Sequence, residues 1–297
     1  SQVRATEATV VERIPPRLRV RNGAKIELPH IMILIDDRER SVIEPLEALK
    51  PEMKKLYDFT LMKNGGAIGG YLLNKDMQAA VLGALDKLAD IDGFNEKYGL
   101  NEKSALVYAM GDGNHSLATA KEYYEQLKRE NPDKDMSNHP ARYALVEIVN
   151  LHSPALEFEA IHRIVTGIDR GEILAAMADE LGLSEEESQQ KIQVVQGEEI
   201  KDMYIHKPSS KLTVGSLQNF IDRYLAEKGG KVDYIHGIDV IKKLAASGDA
   251  IGFILPDMGK EELFPTVICD GALPRKTFSM GHAEDKRFYV EARKIVE

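Results

Sequence analysis

The stretch 104-SALVYAMGDGNHS-116 decides the fold. Apolar residues up to Met110 predict a buried strand, Gly111 and Gly113 predict a sharp turn, and the pattern that begins at Leu117 predicts a helix. Glycine permits the positive φ angles that such a turn requires. The first helical turn leaves backbone N–H groups unpaired, and these favour an anion such as phosphate.

Two side chains in this turn are suited to chemistry. Asp112 supplies a carboxylate and His115 an imidazole beside the predicted anion site. The structural alternative is an ordinary capped turn, with Asn114 or Ser116 as the N-cap of the helix. A cap does not require Asp, Asn, His and Ser together, so we favour the functional interpretation.

Composition limits the class of protein. The chain has 297 residues, of which 43% are hydrophobic, and this predicts one large globular domain or two joined ones. No apolar run is long enough to span a bilayer, and the single cysteine, Cys269, excludes an internal disulfide framework. The net charge of −9 argues against a nucleic-acid partner. We expect a cytoplasmic protein with a small-molecule ligand, and homo-oligomerisation stays open.

The order of elements predicts an α+β fold. Strands and helices interleave without a regular βαβ rhythm, which favours a mixed β-sheet with flanking helices. We expect an α/β core with the turn over residues 1–166, a peripheral helical or mixed segment over 167–235, and a C-terminal part that completes the core over 236–297. The acid-rich run 184–190 is assigned to the peripheral helical element, and the chain is predicted to end in a helix.

Local signals place several elements. Asn64-Gly65-Gly66 predicts a hairpin turn, and Asn74 predicts the cap of a helix from Lys75 to about Asp90. No phosphate-binding P-loop, dinucleotide-binding glycine motif or nucleophile elbow is present. His115, His139, His152 and His162 match no standard metal spacing. His30, His206 and His236 are interpreted as structural or surface residues.

The turn resembles a known family. The run from Gly111 to Ser116 is similar to the A-D-G-H-H-R run of the uncharacterised family called domain of unknown function 1015. Further blocks of the chain also resemble that family: Val149-Asn150, Ile161-His162-Arg163, Asp233-Tyr234-Ile235-His236-Gly237 and Pro274-Arg275-Lys276-Thr277. Members tend to be longer at the N-terminus, so the resemblance implies that a leading segment is missing here.

The D-G-x-H motif is also similar to that of the ParB/sulfiredoxin superfamily, which includes free serine kinases. In that superfamily a D-G-x-x-R turn at a helix N-terminus holds nucleotide phosphates, so a ParB/sulfiredoxin-like element around the turn is implied. Ser116 stands at the arginine position. A hydroxyl carries no charge, so a cation must come from elsewhere. The candidates are Arg163, Arg142, Lys276, Arg275 and the arginines of the N-terminal segment.

These observations lead to a hypothesis of phosphotransfer on a small hydroxy amino acid, with L-serine and O-phosphoserine as the pair that the resemblance implies. The enzyme would be serine kinase-like or phosphoserine phosphatase-like. Asp112 or His115 would handle the hydroxyl proton, with Glu7 as a second candidate. The residues assigned to phosphate or substrate are Gly111, Gly113, Asn114, Ser116, Asn150, His162, Arg163, Lys276 and Thr277.

The implied cofactors are an adenine nucleotide and Mg²⁺, with Asp112 as the metal ligand if a divalent ion is used. Two other classes of function stay open. One is a nucleotide-sensing binding module without turnover. The other is a metal-dependent hydrolase built from histidine and aspartate side chains.

Overall fold

The computed structural model describes residues 3–7, 11–28, 30–280 and 288–296. The chain divides into two compact units. Unit 1 comprises Ser1–Leu156, Val267–Ala272 and Gly281–Glu297, and unit 2 comprises Glu157–Thr266 and Leu273–Met280. The segment boundaries predicted at residues 166 and 235 both fall inside unit 2.

The strands of the described residues, in chain order, are Val3–Arg4 (β1), Ile26–Glu27 (β2), Met32–Ile35 (β3), Lys54–Thr60 (β4), Ala67–Leu72 (β5), Tyr108–Asp112 (β6), Glu147–Asn150 (β7), Phe158–Ala160 (β8), His162–Thr166 (β9), Gln190–Gln196 (β10), Glu199–Ile205 (β11), Lys231–Ile235 (β12), Ala250–Ile254 (β13), Phe278–Met280 (β14) and Arg293–Lys294 (β15).

The α-helices of the same residues are Ile14–Arg21 (α1), Leu46–Leu49 (α2), Lys75–Leu88 (α3), Ile91–Tyr98 (α4), Asn114–Glu130 (α5), Arg170–Leu181 (α6), Thr213–Lys228 (α7), Ile238–Leu244 (α8) and Lys260–Asp270 (α9). Short 3-10 turns cover Val11–Arg13, Lys50–Glu52 and Pro140–Arg142. Within the described ranges, none of the helices has the length and apolar character needed to cross a membrane. The predicted α+β fold with a mixed sheet is confirmed.

Unit 1 is organised around a four-stranded sheet in the order β1-β6-β3-β7. β1 runs parallel to β6, β3 runs antiparallel to β6, and β7 runs parallel to β3. The carboxyl ends of β1 and β6 therefore lie at one end of the sheet, and those of β3 and β7 lie at the other. This arrangement decides which polar residues can meet.

Helix α3 covers one face of this sheet. Ala84 and Leu85 of the helix pack with Ile35 of β3 and with Val42, all buried. The helix begins where the sequence predicts, because the side chain of Asn74 accepts a hydrogen bond from the Met77 N–H at 2.9 Å. The hairpin of β4 and β5 is also confirmed, with Asn64 in the left-handed region at φ 59°.

Unit 2 contains a five-stranded antiparallel sheet in the order β11-β10-β13-β9-β12. Its central strands are almost wholly buried, and Ile164, Val195 and Ile254 pack with Ile241 of α8. Since β12 and β13 both run antiparallel to β9, their carboxyl ends meet the start of β9 at His162. Strands β8 and β14 form a separate pair in this unit.

Two predictions about the elements are wrong. The acid-rich run 184–190 is not helical: α6 ends at Leu181 with left-handed Gly182 as its C-cap, at φ 60°, and a tight β10–β11 hairpin follows with Gly197 at φ 63°. The hairpin forms because Gln190, Ile192 and Val194 alternate with more exposed residues, a period of two. The predicted terminal helix is replaced, in the described part of the C-terminus, by β15 pairing with β2.

Candidate functional site

The turn from β6 to α5 is built on one left-handed glycine. Gly113 is the N-cap of α5, with φ 86° and ψ 19°, and as a glycine it offers no side chain to cap the helix. The sequence interpretation that Asn114 or Ser116 is the N-cap is therefore wrong: the helix begins at Asn114, so a glycine takes the cap position. A Cβ atom on Gly113 would lie 2.2 Å from the carbonyl oxygen of His30. Only glycine fits this close approach.

Asp112 lies at the exposed end of β6, beside the turn. Its Oδ1 accepts a hydrogen bond from the Gly113 N–H at 2.7 Å, and its Oδ2 lies 3.8 Å from Nδ1 of His30. His30 precedes β3, whose antiparallel pairing with β6 brings Met32 opposite Asp112. Sequence reasoning missed this partner, because nothing in the sequence gives the direction of β3 relative to β6. A carboxylate and an imidazole therefore meet at the turn.

The first turn of α5 presents the other predicted residues. Oδ1 of Asn114 is buried, and none of the described residues gives it a hydrogen bond. The carbonyl of His115 accepts from the Thr119 hydroxyl at 2.7 Å, within the helix. Because α5 is 17 residues long and its N-cap is a glycine without a side chain, its first N–H groups and its dipole favour an anion.

Glu7 lies at the same end of the sheet as the turn. β1 runs parallel to β6, and the hydroxyl of Thr6 donates to the carbonyl of Met110 at 2.5 Å. Glu7 follows Thr6 and is half-buried. The structure thus brings Glu7 and Asp112, the two carboxylates predicted as acid–base groups, to one sheet end.

An open cleft of about 510 Å³ adjoins the turn within unit 1. Ser116 and Thr119 of α5 line one side, and Arg17 and Arg21 of α1 line another. The carboxylate of Glu27 and six apolar residues complete the lining, the latter being Pro16, Val20, Ala24, Ile26, Leu28 and Ile295. The position at which the superfamily carries arginine therefore faces the same space as two arginines of the N-terminal segment.

The two arginines of this cleft differ in their surroundings. Arg21 forms an ion pair with Glu27, and its guanidinium lies over the Tyr123 ring at 5.3 Å. Glu27 is also paired with Arg293 at 3.1 Å. Arg17 is exposed and donates to the carbonyl of Arg13 at 3.3 Å, a weak bond to a neutral group. Arg17 is therefore the better placed of the two to meet an anion.

Asn150 lies at the opposite end of the sheet from the turn, which corrects the prediction that it joins the phosphate site. It pairs with Ile35 at the carboxyl end of β3. Its side-chain nitrogen donates to the Asp37 carbonyl and to Glu44, at 2.9 and 2.8 Å, and its oxygen accepts from the His152 N–H at 3.1 Å. This buried amide holds the loop that follows β3.

The same sheet end carries a buried carboxylate that sequence reasoning passed over. Asp36 Oδ1 lies 2.5 Å from Nε2 of His152, and Oδ2 contacts the Tyr98 hydroxyl and, at 3.0 Å, the Lys97 ammonium. Burial alone would raise the pKa of Asp36, but the hydrogen bonds from Tyr98, His152 and Lys97 outweigh it and lower that pKa. Burial and the neighbouring Asp36 charge raise the pKa of Tyr98.

The remaining predicted residues, His162, Arg163, Lys276 and Thr277, belong to unit 2. Arg163 is fully buried, and its guanidinium donates to Gln218 at 2.8 Å and to the carbonyls of Ile161, Arg275 and Lys276 at 2.5, 2.9 and 3.0 Å. It also lies over the Tyr234 ring at 4.8 Å. Arg163 therefore holds the backbone of the loop 274–277, and its role as a phosphate cation is corrected accordingly.

The other residues near this loop have local partners. Lys276 is exposed and left-handed at φ 55°, and the Thr277 hydroxyl donates to the Pro274 carbonyl at 2.6 Å. Nδ1 of His162 accepts from the Leu255 N–H at 3.2 Å, and burial lowers the pKa of His162. Of the other candidate cations, Arg275 is paired with Asp222.

The comparisons with known proteins give the family and the fold of this chain. The family described as "Protein of unknown function (DUF1015)" matches residues 1–224. This chain belongs to that family. No curated protein matches it.

Two solved structures have the same overall fold as this member of the family. SbnI with a C-terminal truncation, from Staphylococcus aureus, has a TM-score of 0.50 at 8% identity, covering 95% of this chain and 80% of that chain. A glutamate-to-glutamine variant of free serine kinase in complex with AMP has a TM-score of 0.50 at 13% identity, covering 99% of this chain and 89% of that chain. At such identities the likeness shows the fold alone.

Over the part of this family member that the structure describes, no group of three His, Cys, Asp or Glu side chains is close enough to hold a metal ion. A Mg²⁺ ion, however, is commonly held by one or two carboxylates together with the phosphates of a substrate. Asp112 is half-exposed beside the turn at the start of α5, and it fits that mode.

Proposed function

We propose that this chain transfers a phosphoryl group between an adenine nucleotide and a small hydroxy amino acid, with L-serine and O-phosphoserine as the pair. One observation carries the proposal: the uncapped first turn of α5, set by left-handed Gly113, opens beside Asp112 and beside the cleft lined by Arg17. The free serine kinase of similar fold, whose solved structure contains AMP, suggests the choice of nucleotide and acceptor.

The turn and the cleft fit the two parts of a nucleotide. Phosphate oxygens would accept hydrogen bonds from the first N–H groups of α5 and from the Ser116 hydroxyl. The apolar side of the cleft, with Val20 and Leu28, would cover the base. Arg17 would supply the positive charge that Ser116 lacks. Each of these groups belongs to unit 1, so the proposed nucleotide site would lie within one unit.

Phosphoryl transfer also needs a group that handles the hydroxyl proton and a means to neutralise charge. Asp112 is the first candidate, because the Gly113 N–H orients one of its oxygens and an imidazole nitrogen of His30 lies 3.8 Å from the other. Glu7 is the second, since it lies at the same sheet end. If Mg²⁺ takes part, Asp112 would bind it with the phosphates, and Glu7 would then serve as the base.

Calorimetric titration with ADP, AMP and ATP tests the nucleotide site directly. We expect saturable binding to the wild type, and Arg17→Gln should weaken it about tenfold or more, because a hydrogen bond to a charged group contributes about 1.5–3 kcal/mol. The matched control is Arg19→Gln, an exposed arginine of the same helix outside the cleft lining. Equal affinities of the two variants would remove Arg17 from the site.

Turnover is tested by phosphorus NMR of O-phosphoserine with ADP or AMP, and of serine with ATP or ADP, each with and without Mg²⁺. The proposal expects phosphoserine and nucleotide phosphate to exchange in at least one direction, and expects Asp112→Asn to lower the rate. Nucleotide binding without turnover in any combination would instead identify a nucleotide-sensing module. Release of inorganic phosphate without a nucleotide would identify a phosphatase.

A further inference from the structure

An exposed aromatic side chain of unit 1, Tyr289, lies close to Asp112 and does not belong to the cleft assigned to the nucleotide. Tyr289 is 49% exposed, and its ring makes an edge contact with the imidazole of His30, with 5.6 Å between the ring centroids. Nδ1 of that imidazole lies 3.8 Å from Oδ2 of Asp112. A phenol ring, an imidazole and a carboxylate therefore follow one another beside the turn that begins α5.

The segment that carries Tyr289 is fixed on both sides of it. Phe288 packs so closely on Gly65 that a Cβ there would lie 2.5 Å from the Phe288 ring. Glu291 accepts a hydrogen bond from the Tyr57 hydroxyl at 2.5 Å, and β15 then pairs with β2. These contacts set the position of Tyr289, although half of that residue stays open to solvent. A ring that is held in place yet left exposed is suited to contact a ligand.

The groups around Tyr289 suit the three polar groups of a hydroxy amino acid. The face of an exposed tyrosine ring attracts an ammonium group, a contact that changes affinity about two- to fivefold. Asp112 and Glu7 add negative charge at the same sheet end, which also favours a cation. His30 has a second ring nitrogen, Nε2, that can donate to a carboxylate. Asp112 remains available to accept from a hydroxyl.

We infer that His30 and Tyr289 form the acceptor subsite of the turn. The ammonium group of a small hydroxy amino acid lies over the Tyr289 ring, its carboxylate accepts a hydrogen bond from Nε2 of His30, and its hydroxyl meets Asp112. The inference rests on the proposed function, because phosphoryl transfer requires an acceptor hydroxyl at Asp112. The nucleotide would occupy the cleft lined by Ser116, so the two ligands would contact different side chains.

A fluorescence titration tests the place of the acceptor. The chain contains no tryptophan, so Tyr289→Trp introduces a single reporter that keeps an aromatic ring. We expect L-serine, with or without ADP, to change its emission saturably. The matched control is Tyr143→Trp, which replaces a 55% exposed tyrosine of unit 1 whose ring lies beside Arg142, and it should not respond. A response of both reporters, or of neither, would overturn the inference.

Ligand analogues test which group meets which side chain. Calorimetric titration compares L-serine with ethanolamine, which lacks the carboxylate, and with D-glycerate, which has a hydroxyl in place of the ammonium group. Tyr289→Leu should weaken binding of L-serine and ethanolamine about two- to fivefold and leave D-glycerate binding unchanged. His30→Leu should weaken L-serine and D-glycerate about tenfold and spare ethanolamine. Tyr289→Phe keeps the ring and should bind all three as the wild type does.

The outcomes separate this inference from the proposed function. L-serine binding that Tyr289→Leu does not alter, or an equal loss for all three ligands, would overturn the subsite. A weakened ADP affinity of Tyr289→Leu would place the ring in the nucleotide site and would also overturn it. Phosphoryl exchange in Tyr289→Leu with an unchanged KM for L-serine would refute the subsite and sustain the proposed function. Binding of L-serine that depends on Tyr289, without exchange with any nucleotide, would sustain the subsite and refute the proposed function.

Discussion

Substitution of Gly113 by alanine tests the packing on which the candidate site depends. An L-residue in the left-handed region costs about 1–2 kcal/mol. The added Cβ would also lie 2.2 Å from the carbonyl oxygen of His30 and 2.9 Å from Cα of Ile31, both backbone atoms that cannot rotate away. Overpacking of this kind costs about 1–3 kcal/mol. We therefore expect Gly113→Ala to lower the free energy of unfolding by about 2–5 kcal/mol.

Gly99→Ala is the matched control, because Gly99 is also left-handed, at φ 64°, and also lies in unit 1. A Cβ at Gly99 meets nothing within 4 Å, so only the backbone cost of about 1–2 kcal/mol is expected. Urea unfolding followed by circular dichroism compares the two variants, and ADP titration reports on the turn. If Gly113→Ala is no more destabilising than Gly99→Ala, the close approach to His30 is refuted.

Two further predictions concern buried charges. Arg163→Met removes the donor of four hydrogen bonds and leaves buried carbonyls unpaired, so it should lower the free energy of unfolding, measured in urea, by about 3–5 kcal/mol. The control Arg223→Met breaks an exposed ion pair with Glu180 and should cost at most about 1 kcal/mol. Similar losses in the two variants would contradict the structural role of Arg163. The lowered pKa of Asp36 gives stability that is present above its ordinary value of 3.8 and is lost as the pH falls through the folded-state pKa. Thermal unfolding between pH 7 and pH 2.5 should therefore show that the melting temperature of the wild type exceeds that of Asp36→Asn by less as the pH falls. A difference in melting temperature that does not change with pH would contradict the lowered pKa of Asp36.

Local sequence signals predicted the elements that depend on a few neighbouring residues. Asn74 caps α3 through a hydrogen bond from the Met77 N–H, three positions along the chain, and Asn64 is left-handed in the turn between β4 and β5. The strand, turn and helix around Gly113 also depend on residues that are close together in the sequence. The β10–β11 hairpin was missed although its strand alternates with period two, because the preceding acidic run suggested a solvated helix.

Contacts between distant segments could not be predicted in the same way. Arg163 binds Gln218, 55 positions along the chain, and the carbonyls of Arg275 and Lys276, more than 110 positions along. In the sequence, a single arginine within an apolar strand suggests a ligand contact, since a buried charge is costly unless it is paired. Its partners are mostly backbone carbonyls, which leave no trace in the sequence.

The predicted site combined residues from different ends of one sheet for a similar reason. Asn150 and Asp112 both end apolar strands, and a parallel arrangement would have placed them together. Because β3 is parallel to β7 but antiparallel to β6, Asn150 lies at the far end with Asp36, and His30 takes the place beside Asp112. Strand direction is a property of the whole sheet, and the residues at a strand end do not encode it.

In the proposed site, a cation from another helix would replace the arginine that the superfamily motif carries at the position of Ser116. In the superfamily motif the arginine and the phosphate-binding turn lie on one helix, so the charge is fixed by sequence spacing. Here helix α1 packs along α5, and Arg17 of α1 lines the same cleft as Ser116 of α5. A cation on a separate element can move independently of the turn. The phosphate affinity of the proposed site would therefore depend on the packing of α1 against α5. Substitution of a residue between the two helices, such as Tyr123 beneath Arg21, should weaken nucleotide binding although it leaves the residues of the motif unchanged.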